Sequence, residues 1–384
     1  MLELLWFLLP VAAASGWWAA QRNIKQSTHS VFDLSPDYYK GLNYLLNEEP
    51  DKAIDVFIQL LDVDSDTVET HLALGVLFRQ RGEVNRALRI HQNLVARPRL
   101  NISQRHSAML ALAEDYFHAG LFDRAEEMYL QLTDTHHKKK AYQHLLNIYQ
   151  QEQEWDKAIE VAHVLHNLME KAFNCDIAHF YCEKAVRLQE LQQYQQAFDA
   201  IDHALVQDAY CVRASLLEGE LALLQGQTQQ AITAFKRIEQ QDLSFLFKAI
   251  TGLKKCYKPA YKSADFIDYL HALLSRYANI NAALALVDIA IEQEDPAAAA
   301  EFLTQHLYKH PSIRGLQRLL ELSTLPAENI SYIPLIQTSI EQLLKNKPIY
   351  QCSHCGFKGK SLHWQCPSCK QWNTIKPIQG IDGE

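Results

Sequence analysis

The chain has 384 residues, of which 48% are hydrophobic, and it carries a formal net charge of −8 at pH 7. This length allows two or three folded domains, and the negative charge argues against a protein that binds nucleic acid nonspecifically. Glycine and proline are scarce, at 13 and 12 residues, which indicates a mostly helical chain.

The first 21 residues form a predicted transmembrane anchor. Residues 4–20 include no charged side chain, and about 20 apolar residues are enough for a helix to span the hydrocarbon core. Trp17 and Trp18 stand at the C-terminal end of this stretch, where aromatic side chains commonly meet the membrane interface. The sequence therefore predicts a single-pass membrane protein.

The flanking charges predict the orientation of the anchor. Arg22 and Lys25 follow it, whereas no Lys or Arg precedes it, so the positive-inside rule places the rest of the chain in the cytoplasm. A cleaved signal peptide is the alternative, because residues 12–15 resemble a cleavage site, although Glu3 stands where a signal peptide carries positive charge. Residues 22–33 then form a polar juxtamembrane linker.

The long middle of the chain is a series of degenerate repeats. Alanines recur at spacings of 33 to 39 residues, namely Ala53, Ala87, Ala125, Ala158, Ala197, Ala231, Ala264 and Ala299. Small residues stand twelve positions before six of them, namely Gly41, Gly75, Ala113, Ala185, Gly219 and Gly252. Aromatic residues stand nine positions before four of them, namely Tyr44, Phe78, Tyr116 and Tyr149. Glycines stand five positions before three of them, namely Gly82, Gly120 and Gly226.

This pattern resembles the tetratricopeptide (TPR) repeat, a pair of antiparallel helices. Small residues let the two helices approach closely, and each pair exposes an apolar face that only a neighbouring pair can cover. The prediction is an all-α TPR superhelical solenoid over residues 34–345 with a concave groove. Pro311 ends the last pair, and residues 313–323 and 332–344 are predicted capping helices.

Helix periodicity places one stripe of the first helix of each pair toward the groove. The polar residues on that stripe are candidate partner-binding residues: Arg79, Glu114, Asn147, Gln150, His179, Arg213 and Glu220. A solvated face is the alternative for each of them. The lengthened connection at residues 136–140 reads His-His-Lys-Lys-Lys, which predicts a solvated loop, with a basic docking patch as the alternative.

The C-terminal segment, residues 347–384, has the strongest motif. Its cysteines form two C-x-x-C pairs ten residues apart: Cys352, Cys355, Cys366 and Cys369. This spacing predicts one metal ion, Zn or Fe, in a tetrahedral four-thiolate site of zinc-ribbon type. Two disulfides or two redox pairs are the alternative. Gly356 suits the positive φ of a metal knuckle, whereas Lys370 departs from that pattern.

The same segment contains more large apolar residues than a module of this size can bury: Phe357, Leu362, Trp364 and Trp372. Some of them should therefore dock on the solenoid or on a partner. We include Trp364 and Trp372 among the candidate partner-binding residues. At least one of these two indoles is expected to pack against TPR helices.

The rest of the sequence offers no catalytic motif. It has no nucleophile elbow, no glycine-rich phosphate loop and no His-Glu-x-x-His. The remaining cysteines lack ligand spacing and are expected to be buried as small hydrophobic residues: Cys175, Cys182, Cys211 and Cys256. The chain is therefore predicted not to be an enzyme.

The order of anchor, TPR array and four-cysteine module resembles the lipopolysaccharide assembly protein B family of Gram-negative bacteria. The resemblance extends from end to end and is tightest at the two termini. The local stretches that carry it are residues 1–5, 8–14, 82–84, 89–92, 178–183 and 364–383, the last with Trp372, residues 374–378 and Gly380.

The resemblance implies a bacterial inner-membrane protein that faces the cytoplasm and restrains lipopolysaccharide synthesis. It implies an adaptor that delivers the deacetylase committing precursor to lipid A to the membrane protease FtsH. A lipopolysaccharide-sensing inner-membrane protein is the implied antagonist. The tail would be a rubredoxin-like domain packed on the TPR array, although its linker between cysteine pairs is much shorter than in electron-transfer rubredoxins.

Two other functions are open. An iron-containing electron-transfer protein on a TPR scaffold would use the same four thiolates, because both iron and zinc accept that site. A periplasmic TPR scaffold would follow if the N-terminal segment were a signal peptide.

Overall fold

The computed structural model describes residues 17–18, 39–41, 43–44, 52, 56, 68–169, 173–257, 264–293, 295–322 and 333–380. The predicted linker, most of the predicted anchor and most of the first predicted repeat lie outside these residues. Within the described part of the chain, no helix is both long enough and apolar enough to cross a membrane.

The described residues from 68 to 346 are helical pairs, as the repeat pattern predicts, followed by two further helices. In chain order the paired helices are α1 (Val68–Gln80), α2 (Val84–Val95), α3 (Ile102–His118), α4 (Phe122–Leu130), α5 (Lys138–Gln151), α6 (Trp155–Met169), α7 (Asn174–Glu190), α8 (Tyr194–Gln207), α9 (Val212–Leu224), α10 (Thr228–Gln241), α11 (Leu246–Tyr257), α12 (Ala264–Tyr277), α13 (Ile280–Glu292) and α14 (Pro296–Lys309). The two helices that follow are α15 (Ile313–Leu322) and α16 (Ile333–Asn346). A 3₁₀ turn, Leu243–Phe245, precedes α11.

The chain divides into two compact units, with the boundary between His144 and Leu145 inside α5. The N-terminal unit contains α1 to α4. The C-terminal unit contains α6 to α16 and the cysteine module.

Five of the turns between the helices of a pair close through a residue with positive φ. Gly82, Gly120 and Gly226 have φ of 81°, 74° and 73°, as their spacing predicts. The Gly82 N–H donates to the Arg79 carbonyl and the next N–H donates to the Phe78 carbonyl, which is the pattern of a Schellman C-cap. Two further turns use glutamine instead, at Gln153 and Gln192.

The repeat alanines are the points of closest contact between paired helices. Ala87, Ala125, Ala158, Ala197 and Ala231 are fully buried. A Cβ on Gly75 would lie 2.3 Å from the ring of His91, and one on Gly219 would lie 2.5 Å from the ring of Phe235. Small residues at these positions are therefore required for the helices to pack.

One position of the predicted repeat pattern is wrong. Ala264 is exposed and is the first residue of α12, whereas Ala231 is the fourth residue of α10. The buried contact in α12 is made instead by Phe266, at 0% exposure. The predicted repeat position is misplaced here because a large aromatic side chain, and not an alanine, fills the contact between the paired helices. Counting from alanine to alanine therefore does not identify the buried face of α12.

The C-terminal module is a small antiparallel sheet. Its strands are β1 (Tyr350–Cys352), β2 (Lys358–Gly359) and β3 (Ile375–Pro377). They lie in the order β2-β1-β3. Cys352 ends β1 and Cys355 lies in the β1–β2 connection, whereas the second cysteine pair lies between β2 and β3. The sheet therefore brings both pairs together.

Candidate metal centre

Two backbone turns position the four cysteines. The Gly356 N–H donates to the Cys352 carbonyl at 3.0 Å, and the Lys370 N–H donates to the Cys366 carbonyl at 2.9 Å. Gly356 has φ of 78° and Lys370 has φ of 59°. The second turn therefore has the same left-handed conformation as the first, although its residue is not glycine.

The four thiols fit one tetrahedral metal ion. Their Sγ atoms all lie within 4.8 Å of one another. Cys352 Sγ is 3.8 Å from Cys369 Sγ, and Cys355 Sγ is 3.7 Å from Cys366 Sγ. A tetrahedron with metal–sulfur bonds of about 2.3 Å has edges of about 3.8 Å. The donor set therefore suits a single Zn or Fe ion, whereas disulfides would need bonded sulfur atoms about 2.0 Å apart.

The surroundings of the thiols differ in their effect on ionisation. Burial raises the pKa of Cys352, but hydrogen bonds from the Cys355 backbone N–H and the Thr374 hydroxyl outweigh it and lower the pKa to about 5. The Gln371 backbone N–H lowers the pKa of Cys369, but burial and the neighbouring thiols raise it to about 11. Four thiolates at this spacing therefore need a cation to be charged together.

Trp372 attaches the module to the C-terminal repeats. Its ring stacks on His179 at 5.1 Å between centroids and meets Phe180 edge-on at 5.8 Å. Its Nε1–H donates to Gln150 Oε1 at 3.1 Å, and the Gln365 amide donates to the same oxygen at 3.2 Å. Trp372 is 8% exposed, so most of the indole is removed from water.

Trp364 makes a second contact. Its ring stacks on Phe245 at 5.5 Å and lies 5.9 Å from the ring of His179. The Arg213 guanidinium lies 5.9 Å from the Trp364 centroid, and Arg213 also pairs with Glu183 at 2.9 Å. Both candidate tryptophans, Trp364 and Trp372, therefore pack against the TPR repeats.

An ion pair completes the attachment. Lys376 Nζ lies 2.9 Å from Asp242 Oδ2. Burial raises the pKa of Asp242, but hydrogen bonds from Ser244 and Lys376 outweigh it and leave the pKa lowered. We call the set of residues that receive the module the docking site: Gln150, His179, Phe180, Arg213, Asp242 and Phe245.

The seven candidate groove residues lie in three different environments. Gln150, His179 and Arg213 lie in the docking site. Arg79 and Glu114 form an ion pair with each other in the N-terminal unit. Asn147 and Glu220 are exposed to solvent. Whether any of the seven also binds a partner stays a prediction.

Sequence patterns missed Asp242 and Phe245. Both lie in the short connection between α10 and α11, where no helical stripe extends to them. Patterns also missed that Cys182 and Cys211 lie together, with their Sγ atoms 3.9 Å apart. Both thiols are buried, as the expectation of small hydrophobic roles requires.

Comparisons with known proteins agree with the helical repeats of both units and with the cysteine module. The family model described as "Rubredoxin metal binding domain" matches residues 350–377. Models described as "Tetratricopeptide repeat" match residues 70–102 and 182–242.

Curated relatives match the whole chain. Lipopolysaccharide assembly protein B of Escherichia coli (strain K12) is 38% identical over 388 residues, which covers 100% of both chains. This chain belongs to the lipopolysaccharide assembly protein B family. The family member from Haemophilus influenzae is 36% identical over 391 residues, with 98% of each chain covered.

Among solved structures, a tetratricopeptide repeat protein from Parabacteroides merdae shares 16% identity with this chain. That similarity covers 67% of this chain and 98% of the other, with a TM-score of 0.32.

Proposed function

We propose that this protein is a non-enzymatic adaptor that regulates lipopolysaccharide biosynthesis at the cytoplasmic face of the bacterial inner membrane. Its action is to promote FtsH-dependent proteolysis of the deacetylase that commits precursor to lipid A. A lipopolysaccharide-sensing inner-membrane protein opposes it. The observation that carries the proposal is full-length identity of 38% to a protein named lipopolysaccharide assembly protein B.

The architecture supports an adaptor because the repeats offer a binding surface and the docked metal module makes that surface rigid. The metal module rests on residues from α5, α7, α9 and the α10–α11 connection, so it holds the first helices of successive repeats in one arrangement. A rigid surface loses less conformational entropy when a partner binds. The metal acts by folding the module, whose own core is small.

The predicted anchor supplies co-localisation. A helix in the bilayer confines the repeats to the plane where a membrane protease acts, which raises effective concentration without new contacts. The adaptor then needs only moderate affinity for each partner.

The test is the lifetime of the deacetylase in cells that lack their own family member. Expression of this chain at native level should restore rapid turnover of the deacetylase, and removal of residues 1–20 should abolish that effect while leaving a folded, metal-loaded protein. Normal turnover with the truncated chain would contradict tethering. Unchanged turnover with the full chain, in cells that contain FtsH, would contradict the adaptor role.

A second candidate function, electron transfer, has one observation in its favour. Cys355 is exposed and Cys369 is half-buried, so one side of the four-thiolate site is open to a redox partner. Iron in this site would give an absorption spectrum in the visible range, whereas zinc would be colourless. Metal analysis and a spectrum of protein purified without added metal separate the two.

A further inference from the structure

Basic residues concentrate at one edge of the N-terminal unit. Residues 96–107 and 130–140 together contain six Lys and Arg residues and a single acidic residue, Asp134, in a chain whose net charge is −8. The first segment covers the α2–α3 connection and the start of α3. The second covers the connection between α4 and α5 and the first three residues of α5, so that the His-His-Lys-Lys-Lys run ends in the first turn of that helix.

The fold brings these two segments together. The rings of His106 and His136 lie 6.1 Å apart between centroids. Ser107 Oγ lies 3.3 Å from His137 Nε2. The first turns of α3 therefore lie against the α4–α5 connection, and their charges form one patch.

We call this patch the basic edge: Arg105, His106, His136, Lys138, Lys139 and Lys140. Arg105, His136 and the three lysines are exposed. Within the described part of the chain, no carboxylate forms an ion pair with Arg105 or with any of the three lysines. Their charge is therefore available to an external anion.

The charge of the basic edge also acts on His137, a neighbouring residue. Burial lowers the pKa of His137, and His136, Lys140 and His106 lower it further, against a smaller opposite effect of Glu114. Positive charge at the basic edge thus disfavours protonation of His137. An anionic surface placed there would reverse this effect.

An apolar side chain accompanies the charge. Ile102 is 76% exposed and precedes Arg105 and His106 by three and four residues on α3, so the three share one helix face. Exposed aliphatic and cationic side chains on one face are typical of surfaces that enter the interfacial region of a membrane.

We propose that the basic edge, together with Ile102, docks on the anionic headgroups of the membrane in which the protein is anchored. Charge complementarity favours this occupant, because anionic lipids attract clustered Lys and Arg. The predicted anchor also favours it, because a chain anchored in a membrane stays at high effective concentration near its headgroups. The inference goes beyond the adaptor function and rests only on its predicted anchor.

The test uses the full-length chain in lipid nanodiscs and an amine-reactive reagent, with modified lysines quantified by mass spectrometry. In discs that contain phosphatidylglycerol, Lys138, Lys139 and Lys140 should react at least about five-fold more slowly than in discs of phosphatidylcholine alone. Raised salt should remove the difference. Exposed lysines of the other unit, Lys255 and Lys309, should react equally in both discs.

A charge variant provides the matched control. In K138Q/K139Q/K140Q, protection of Arg105 from an arginine-specific reagent should be lost in phosphatidylglycerol discs. K255Q/K309Q/K345Q changes the net charge equally at exposed sites and should keep that protection.

Three results would overturn the proposal. Equal reactivity of the lysines in the two kinds of disc would show that the basic edge is only solvated. Slow reaction of the lysines in both kinds of disc would show that they contact protein, such as a second copy of this chain. Slow reaction only in native membranes would show a different partner, either a protein or a nucleic acid. None of these readouts depends on deacetylase turnover, so failure here is distinct from failure of the adaptor function.

Discussion

Polar residues on the first helices of the pairs are removed from water differently in the two units. In the N-terminal unit, Arg79 pairs with Glu114 and with Asp115, at 2.7 Å for Asp115, and His91 Nδ1 lies 2.5 Å from the second Asp115 oxygen. In the C-terminal unit, Gln150, His179 and Arg213 are covered by the metal module, and Arg213 also pairs with Glu183. One repeat scaffold thus buries its polar residues either by internal ion pairing or by means of a docked domain.

The two units should differ in how far their stability depends on metal. The ion-pair network depends only on helices of the N-terminal unit, and Asp115 and His91 are both fully buried. The docking site depends on a module whose folding requires a metal. Loss of metal should therefore uncover the docking site and leave the N-terminal network intact.

The largest expected effect is that of Cys352→Ser. Three thiolates hold a structural metal poorly, and four-ligand zinc sites contribute apparent folding free energies of about 10 kcal/mol or more. The module should lose its metal and unfold, and residues 347–380 should become sensitive to protease while the helical content of the repeats persists. Metal content and limited proteolysis measure this.

His363→Ala is the matched control for that variant. His363 is exposed and lies close to the cysteines in sequence but outside the four-thiolate set, so its loss should leave the metal bound. A stoichiometric metal in Cys352→Ser with a protected tail would show that the ligand set is wrong.

The next largest effect tests the ion-pair network. Asp115→Asn removes the fully buried carboxylate that bonds both Arg79 and His91 and leaves Arg79 only Glu114, which should lower the local free energy of unfolding by about 2–3 kcal/mol. Hydrogen exchange of amides in α1 and α3 measures the change. Glu114→Gln, at a more exposed carboxylate, should cost about 1 kcal/mol or less. Equal effects of the two substitutions would argue that burial is irrelevant here.

The third prediction concerns the indoles. Trp372→Ala removes a nearly buried ring and its hydrogen bond to Gln150, and should weaken docking by about 2–3 kcal/mol. Metal content should not change, but the module should be cleaved faster by protease, and Trp364→Ala should act in the same direction. Tyr210→Ala, at a ring that is 68% exposed, is the control. A double tryptophan variant with an unchanged cleavage rate would show that the module is held by other contacts.

The smallest effect is a pH dependence of docking. Burial, with Arg213 and Lys376 nearby, lowers the pKa of His179 from 6.5 to about 3. Between these values the docked state binds fewer protons than the undocked state, so docking weakens as pH falls through this window. From pH 7 to pH 5 the loss should reach up to about 2 kcal/mol.

His179→Phe separates this effect from acid loss of metal. Phenylalanine keeps a ring beneath Trp372 but does not titrate, so the variant should show a smaller change in protease protection over the same pH range. Identical pH profiles of the two proteins would assign the whole dependence to the thiolates.

Sequence patterns predicted the structure correctly at positions where a single physical requirement selects one type of residue. Gly82, Gly120 and Gly226 marked turns because their positive φ disfavours side chains. The four cysteines marked one site because metal ligation constrains spacing. The alanine count was wrong at Ala264 because a packed face can be filled by either small or large residues, and periodicity does not record which.

The sequence by itself determined the repeat architecture, the cluster of four cysteines and the need for the module to dock somewhere, since each follows from local geometry or from excess apolar surface. Only the tertiary structure decided where the module docks. Gln150 and Trp372 are 222 positions apart, and Asp242 and Lys376 are 134 positions apart. Stacking of rings or pairing of charges at such separations leaves no period in the sequence. The structure also decided that Arg79 and Glu114 pair with each other, because that depends on how successive helices align, and the composition of each helix alone does not specify it.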